Sequence, residues 1–241
     1  MTVFFLGTHI PSWLATTEVP LFVSHRRLTK RRTLPRARTD WALDSGGFTE
    51  LSMYGGWTTE PADYIRAVRR YRDEIGNLAW AAPQDWMVEP FMLRRTGLTV
   101  ADHQRRTVEN FERLRDMAPD LPIVPVIQGW TLSDYRLCVD EYVARGVDLL
   151  AEPTVGIGSV CRRQGTREIG AVVETLAADG IRLHGFGVKL QGLRAYRQHL
   201  TSADSMAWSY SGRHKPGCGP SHKSESNCLK YALTWREKAL C

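Results

Sequence analysis

Short, unbroken apolar runs recur along this chain, and almost every one ends in a polar residue or a pair of glycines. Trp41-Ala42-Leu43 stops at Asp44 and runs into Ser45-Gly46-Gly47-Phe48. Leu78–Pro83 leads into Gln84-Asp85-Trp86, and Ile123–Ile127 into Gln128-Gly129-Trp130. Leu149-Leu150-Ala151 leads into Glu152-Pro153 and then Gly156-Ile157-Gly158-Ser159. Leu183–Val188 is another such run, and Ser202–Trp208 is the last. A run that is apolar at consecutive rather than alternate positions suits a strand covered on both faces, the condition inside a parallel sheet.

Between these runs the hydrophobic period changes. Tyr64, Val68, Tyr71 and Ile75 fall on one helical face, with Pro61 near the start and Gly76 past the end. Thr99-Val100-Ala101-Asp102 reads as a capping box ahead of Val108, Phe111, Leu114 and Met117. Tyr135, Val139 and Tyr142 form a stripe closing at Gly146, and Ile169, Val172, Val173 and Leu176 one closing at Gly180. Strand and helix therefore alternate, which calls for a parallel sheet with crossover helices. With Val3–Leu6 or Leu21–Ser24 at the front, seven or eight strands fit into 241 residues. That predicts a single-domain α/β fold of the (β/α)8 TIM-barrel type over 1–212. A short C-terminal segment, 213–241, would follow with a closing helix. A doubly wound open sheet is the alternative, and it concentrates polar strand ends at one switch point instead of distributing them.

A hydrophobic content of 43% is enough to bury a full core, and no apolar run reaches bilayer-spanning length. The start, Met1-Thr2-Val3-Phe4-Phe5, has no basic leader, so a cytoplasmic location is expected. Five widely spaced cysteines give no disulfide framework. The net charge of +6 is unevenly placed. Arg26, Arg27, Lys30, Arg31, Arg32, Arg36 and Arg38 stand together with no acid among them. Such a cluster beside a polar-rimmed site suggests a nucleic-acid partner, with the loop emerging near the catalytic edge. The alternative is a solvated surface loop.

Asp44 is the most informative strand end, because the glycines behind it allow backbone to approach a ligand closely. An aspartate opening a turn has the same appearance. Trp86 and Trp130 suit either a stacking wall or ordinary core. Glu152 and His184 also sit at strand ends, His184 reading as a satisfied buried histidine rather than a catalytic one. Lys189 reads as solvated, or as a phosphate contact. Cys138 lies on an apolar helical stripe, and Cys161 beside Arg162 and Arg163 could carry a lowered thiol pKa.

Asp-Ser-Gly-Gly-Phe at 44–48, Gln-Gly at 128–129, a glycine-rich turn at 156–158 and Asp-Ser at 204–205 occur in that order. The ordered set resembles the tRNA-guanine transglycosylase superfamily, and is closest to its short phage and bacterial branch, the 7-deazaguanine DNA transglycosylases. The resemblance runs from about Val19 onward and implies a (β/α)8 barrel. It implies exchange of guanine in DNA for a free 7-deazaguanine base, 7-cyano-7-deazaguanine being the expected form. Asp204 is then the nucleophile and Asp44 the general acid/base. Asp85 accepts from the base's N–H edge, with Ser45, Gly46, Gln128, Gly129, Gly156 and Gly158 completing the base site. The location would be a bacterial host cell if the chain is phage-encoded. The same chemistry on tRNA is an alternative, as are a base-hydrolysing glycosidase and a non-catalytic nucleic-acid-binding partner subunit. The family's structural zinc site implies Cys218, His222 and Cys228 as ligands to one zinc ion, and no organic cofactor. The fourth ligand is open among His214, Glu225 and Cys241.

Overall fold

A computed structural model describes residues 2–240. Eight strands form one all-parallel sheet: β1 (Val3–Thr8), β2 (Leu21–Ser24), β3 (Trp41–Asp44), β4 (Leu78–Ala81), β5 (Val126–Ile127), β6 (Val155–Ile157), β7 (Leu183–Gly185) and β8 (Ser202–Ser205). Their order is β4-β3-β2-β1-β8-β7-β6-β5, so the first strand lies beside the last, with Phe5 level with Asp204. Both N-terminal runs are strands, which makes the larger of the two expected counts the correct one. The sheet curls, and its edges are β4 and β5. One parallel bridge, Ala81–Ile123, links β4 to the segment just ahead of β5, through Ala81 N–H to the Pro122 carbonyl at 2.9 Å and Val124 N–H to the Ala81 carbonyl at 3.1 Å.

Ten helices cover the outside: α1 (His25–Leu28), α2 (Gly47–Tyr54), α3 (Pro61–Ile75), α4 (Pro90–Thr96), α5 (Val100–Met117), α6 (Leu132–Ala144), α7 (Arg167–Ala178), α8 (Leu190–Tyr196), α9 (Ala207–Gly212) and α10 (Leu229–Leu240). Proline at the first position of α3 removes an N–H that would have no partner there anyway. Thr99 and Asp102 cap α5 reciprocally, and Thr131 and Asp134 do the same for α6. The apolar stripes of α3, α5, α6 and α7 enter one core, apart from Met117, which stays 42% exposed in the last turn of α5. A second, smaller cluster of Phe5, Phe22, Ala42, Trp80, Ala82 and Val124 fills the concave side of the sheet, with Phe186 packed on it.

One expected strand is a turn. Leu149 is buried, but Leu150 is 52% exposed, and the strand comes later, at Val155–Ile157. The Arg182 guanidinium donates to the carbonyls of Leu150 and Glu152, satisfying backbone that a neighbouring strand would otherwise take. Glu152 thus precedes β6 and lies at the sheet's amino edge, where it pairs with Arg115 at 3.1 Å. No helix among the described residues is long and apolar enough to cross a membrane.

Candidate active site and metal centre

The carboxyl ends of β2, β3, β7 and β8, with the loops after β4 and β6, surround a cavity of about 420 Å³. Four carboxyl groups line it: Asp44, Asp85, Glu89 and Asp204. The apolar wall comes from Phe22, Phe48, Met87 and Phe186, and Lys189 and Cys161 also line the cavity. A pocket of this size, largely apolar with a few converging polar groups, suits a planar heteroaromatic molecule.

Asp204 is the penultimate residue of β8 and is buried. Its Oδ1 accepts from the Gly187 backbone N–H at 2.9 Å and lies 3.4 Å from His184 Nε2. The other imidazole nitrogen, Nδ1, lies 2.8 Å from Ser202 Oγ, so the fully buried ring is held on both sides. Trp80 and Phe186 pack edge-on against the imidazole, at ring separations of 4.6 and 4.9 Å. His184, read from sequence as an inert core residue, therefore supports one oxygen of Asp204.

Asp44 ends β3 in a half-buried position at the cavity wall. Burial raises its pKa, opposed by hydrogen bonds from the Ser24 hydroxyl and the Gly46 N–H; Asp204 nearby adds to the rise and Arg26 subtracts from it. Gly46 has φ +86°, and a Cβ there would stand 2.8 Å from Arg26 Cγ, so the turn needs glycine twice over. Arg26, in α1, is fixed by Glu50 at 3.3 Å, and Glu50 in turn takes the Thr58 N–H at 2.8 Å.

Asp85 follows β4 and is buried. Burial and the neighbouring Asp44 push its carboxyl up to about 7, against the opposing pull of hydrogen bonds from Gln128 and Ser45. Gln128 Nε2 donates to Asp85 Oδ2 at 2.7 Å, and Ser45 Oγ lies 3.4 Å from Oδ1. Gln128 was expected to face the base. Instead it is fully buried behind Asp85, its Oε1 accepting from Ser159 Oγ at 2.8 Å. The hydroxyl of Ser159 also lies 3.1 Å from Glu89 Oε2. A buried chain Asp85–Gln128–Ser159–Glu89 results, and burial raises Glu89 as well. Gly158 permits it: a Cβ there would come within 2.2 Å of Gln128 Nε2.

Gly158 lines the cavity, while Gly156 lies inside β6 and Ser45, Gly46 and Gly129 stand behind the wall. Trp86 and Trp130 are not cavity walls. Trp86 packs edge-on to His103 and under Arg106, and Trp130 lies under the Arg163 guanidinium at 3.9 Å. Cys161 is shifted opposite to expectation, burial outweighing the lysine and arginine beside it and raising the thiol. Cys138 is fully buried core. Sequence reasoning missed Glu89, Ser159, Phe22, Phe186 and Met87. Of these only Glu89, a carboxylate directly ahead of the proline that starts α4, carried a signal.

The basic segment divides. Arg26 stands at the carboxyl edge beside Asp44, but Arg36 donates to the carbonyls of Asp73 and Glu74, at the far end of α3. Arg38 pairs with Glu18 ahead of β2, and the Arg32 carbonyl accepts from Arg70. From Arg32 on, the segment therefore runs down the outside to the amino edge, away from the cavity. The short α1 ends at Leu28, and the chain regains the cavity edge only through β3.

Cys218, His222, Glu225 and Cys228 gather their ligand atoms within 4.8 Å of one another and could hold a metal ion. Cys218 Sγ lies 3.7 Å from both His222 Nε2 and Cys228 Sγ, and His222 Nε2 lies 3.6 Å from Glu225 Oε2. A tetrahedral ion with bonds of 2.0–2.3 Å has edges of roughly 3.3–3.8 Å, so the spacing fits. Glu225 Oε2 is buried with no hydrogen-bond partner among the described residues, as a ligand oxygen lacking its cation would be. Of the open choices for the fourth ligand, Glu225 is the one in the cluster. His214 packs against Tyr210 instead, and Cys241 lies outside the described residues.

The family model described as DpdA, DeoxyPurine in DNA protein A, matches residues 1–241. No curated protein matches the chain. Among solved structures, an amidohydrolase from Burkholderia ambifaria with bound zinc is 18% identical, with a TM-score of 0.37, over 68% of this chain and 49% of that one. The chain thus spans about half the length of that protein.

Proposed function

We infer the function of this chain from the family to which it belongs, DpdA, the DeoxyPurine in DNA protein A family, and from the carboxylates its cavity gathers. Membership makes it an enzyme of deoxypurine modification acting on DNA. Our finer reading is base exchange: guanine in DNA leaves and a 7-deazaguanine, in the 7-cyano form, takes its place. The eight strands then read as a (β/α)8 barrel of the tRNA-guanine transglycosylase type, closed by the bridge between Ala81 and Ile123.

In this reading an Asp204 carboxylate oxygen attacks C1′ of the deoxyribose. The C1′–N9 bond breaks with its electron pair on the base, and Asp44 supplies the proton that makes the leaving guanine neutral. The incoming base returns a proton to Asp44 as its N9 attacks C1′ and releases Asp204. Two displacements retain configuration. Support comes from the fixing of Oδ1 by Gly187 N–H and His184, which orients the carboxylate without help from solvent. The upward shift of Asp44, caused first by its burial, suits a group that must give and take back a proton. Asp85, backed by Gln128, reads the N–H edge of the base between Phe22, Met87 and Phe186. Zinc fits the Cys2HisGlu cluster, where it would tie the segment after α9 to α10.

The observation that carries this reading is the convergence of Asp44, Asp85 and Asp204 on one base-sized cavity. Incubating the protein with duplex DNA or tRNA and candidate free bases, then digesting to nucleosides for mass spectrometry, tests it. A deazaguanosine found in DNA, and absent with Asp204→Asn, is the expected result. Modification of tRNA alone would move the substrate to RNA, and base loss without incorporation would make the enzyme a hydrolase.

A further inference from the structure

A second crevice, of about 560 Å³, lies on the outer flank between the start of α3 and the middle of α5. Its floor is formed by Gln84 and Trp86, the residues on either side of Asp85 in sequence. Trp57 forms part of the same lining and donates its indole N–H to the Asp85 carbonyl at 3.2 Å. The crevice and the cavity thus lie back to back across one loop.

Two buried polar atoms there have no hydrogen-bond partner among the described residues: Gln84 Oε1, an acceptor, and Arg106 Nε–H, a donor. Gln84 is 1% exposed, and its amide nitrogen is already committed to the Thr59 carbonyl at 2.7 Å, so the amide cannot flip to satisfy Oε1 without losing that bond. Arg106 lies over the Trp86 ring at 4.6 Å, which fixes its plane. Arg105 is paired with Asp102 and Glu109, whereas neither Arg106 nor Arg113 has an ion pair among the described residues. A ligand meeting these demands brings an anion for two guanidiniums and an N–H for a buried amide oxygen.

We propose that this crevice is a nucleotide subsite, with phosphate held by Arg106 and Arg113 and a base N–H donated to Gln84 Oε1. It rests on the DNA-modifying reading above, and its occupant is the nucleotide of the substrate strand next to the one whose base enters the cavity. The position, one residue from Asp85, and the departure of Arg32–Arg38 to the other edge both favour that source over a distant one.

The test uses the full chain and two probes. With dGMP at fixed ionic strength, the wild type should gain thermal stability that Arg106→Gln/Arg113→Gln loses, inorganic phosphate giving a smaller gain. With a short oligonucleotide, the same double variant should show a slope of log affinity against log salt about one smaller in magnitude than wild type, the share of the one phosphate that the two arginines hold. The exposed Arg113→Gln alone, which leaves packing untouched, should remove about half of that effect. An unchanged slope together with lost dGMP binding would reassign the site to a free nucleotide and overturn the strand assignment. No dGMP effect and no slope change would overturn the site altogether. Neither probe depends on base exchange, so failure of the catalytic reading would leave these measurements standing.

Discussion

Replacing Asp85 with asparagine should make the free protein more stable, and increasingly so as the pH rises. The carboxyl sits without a cation beside it, and burial with Asp44 nearby pushes it from its ordinary 3.8 up to about 7. A carboxyl raised on folding favours the folded state only where both states are protonated. As pH climbs from 4 to 7 the unfolded chain ionises first and gains the advantage. At 1.36 kcal/mol per pH unit, that cost is about 2 kcal/mol at pH 5 and about 4 kcal/mol at pH 8. Asparagine carries no such cost, and it keeps the oxygen that accepts from Gln128 Nε2 and an amide that can reach Ser45 Oγ. The stability difference between the variant and wild type should therefore grow by about 2–3 kcal/mol between pH 5 and pH 8. Groups common to both proteins cancel in the difference. Urea unfolding at pH 5, 6, 7 and 8, followed by tryptophan fluorescence, measures the difference directly. A difference that stays flat across that range would mean that Asp85 is ionised in the free protein, and the argument from burial would fail.

Three further outcomes follow from the same geometry. Gly158→Ala should displace Gln128, since its Cβ would meet that amide at 2.2 Å; the expected loss is about 1–3 kcal/mol of stability, with a raised KM for the free base in exchange assays. Elemental analysis of protein purified without added metal should find about one zinc per chain, and Cys218→Ser should lower both the zinc content and Tm; full thermal stability in metal-free protein would remove the structural role. The triple variant Arg31→Ala, Arg32→Ala and Arg36→Ala should leave the salt dependence of DNA binding near wild type, because the segment descends to the amino edge; a slope reduced by about three in fluorescence anisotropy titrations would show DNA reaching that edge.

Much of the architecture was legible because the strands are fully covered, so their composition announces them without alternation. Leu149–Ala151 misled for the same reason: a buried leucine in a turn is indistinguishable from one in a strand, and the arginine that satisfies its backbone lies thirty residues away. Asp44 stood out because it follows an apolar run directly, and Asp85 because it comes one residue after another such run; Asp204 came only with the family resemblance. Glu89 and Ser159 enter the cavity from loops, where nothing in the local pattern marks direction. Gln128, expected to face the base, lies behind Asp85 instead, since a strand end fixes where a residue sits and not which neighbour claims its amide. The basic segment failed differently. Charge alone located it, and charge does not say how far a loop travels.

The pairing of β1 with β8 has a consequence for the order in which the molecule is made. Phe5 is synthesised well before Asp204 and waits for it before its ladder is complete, and the Arg236 side chain later donates to the Phe4 carbonyl across the same seam. Contacts spanning some two hundred residues form late and slowly. The proposed nucleophile is thus seated after Asp44 and Asp85, and on the proposed mechanism a nascent chain carries those two long before it can break a glycosidic bond.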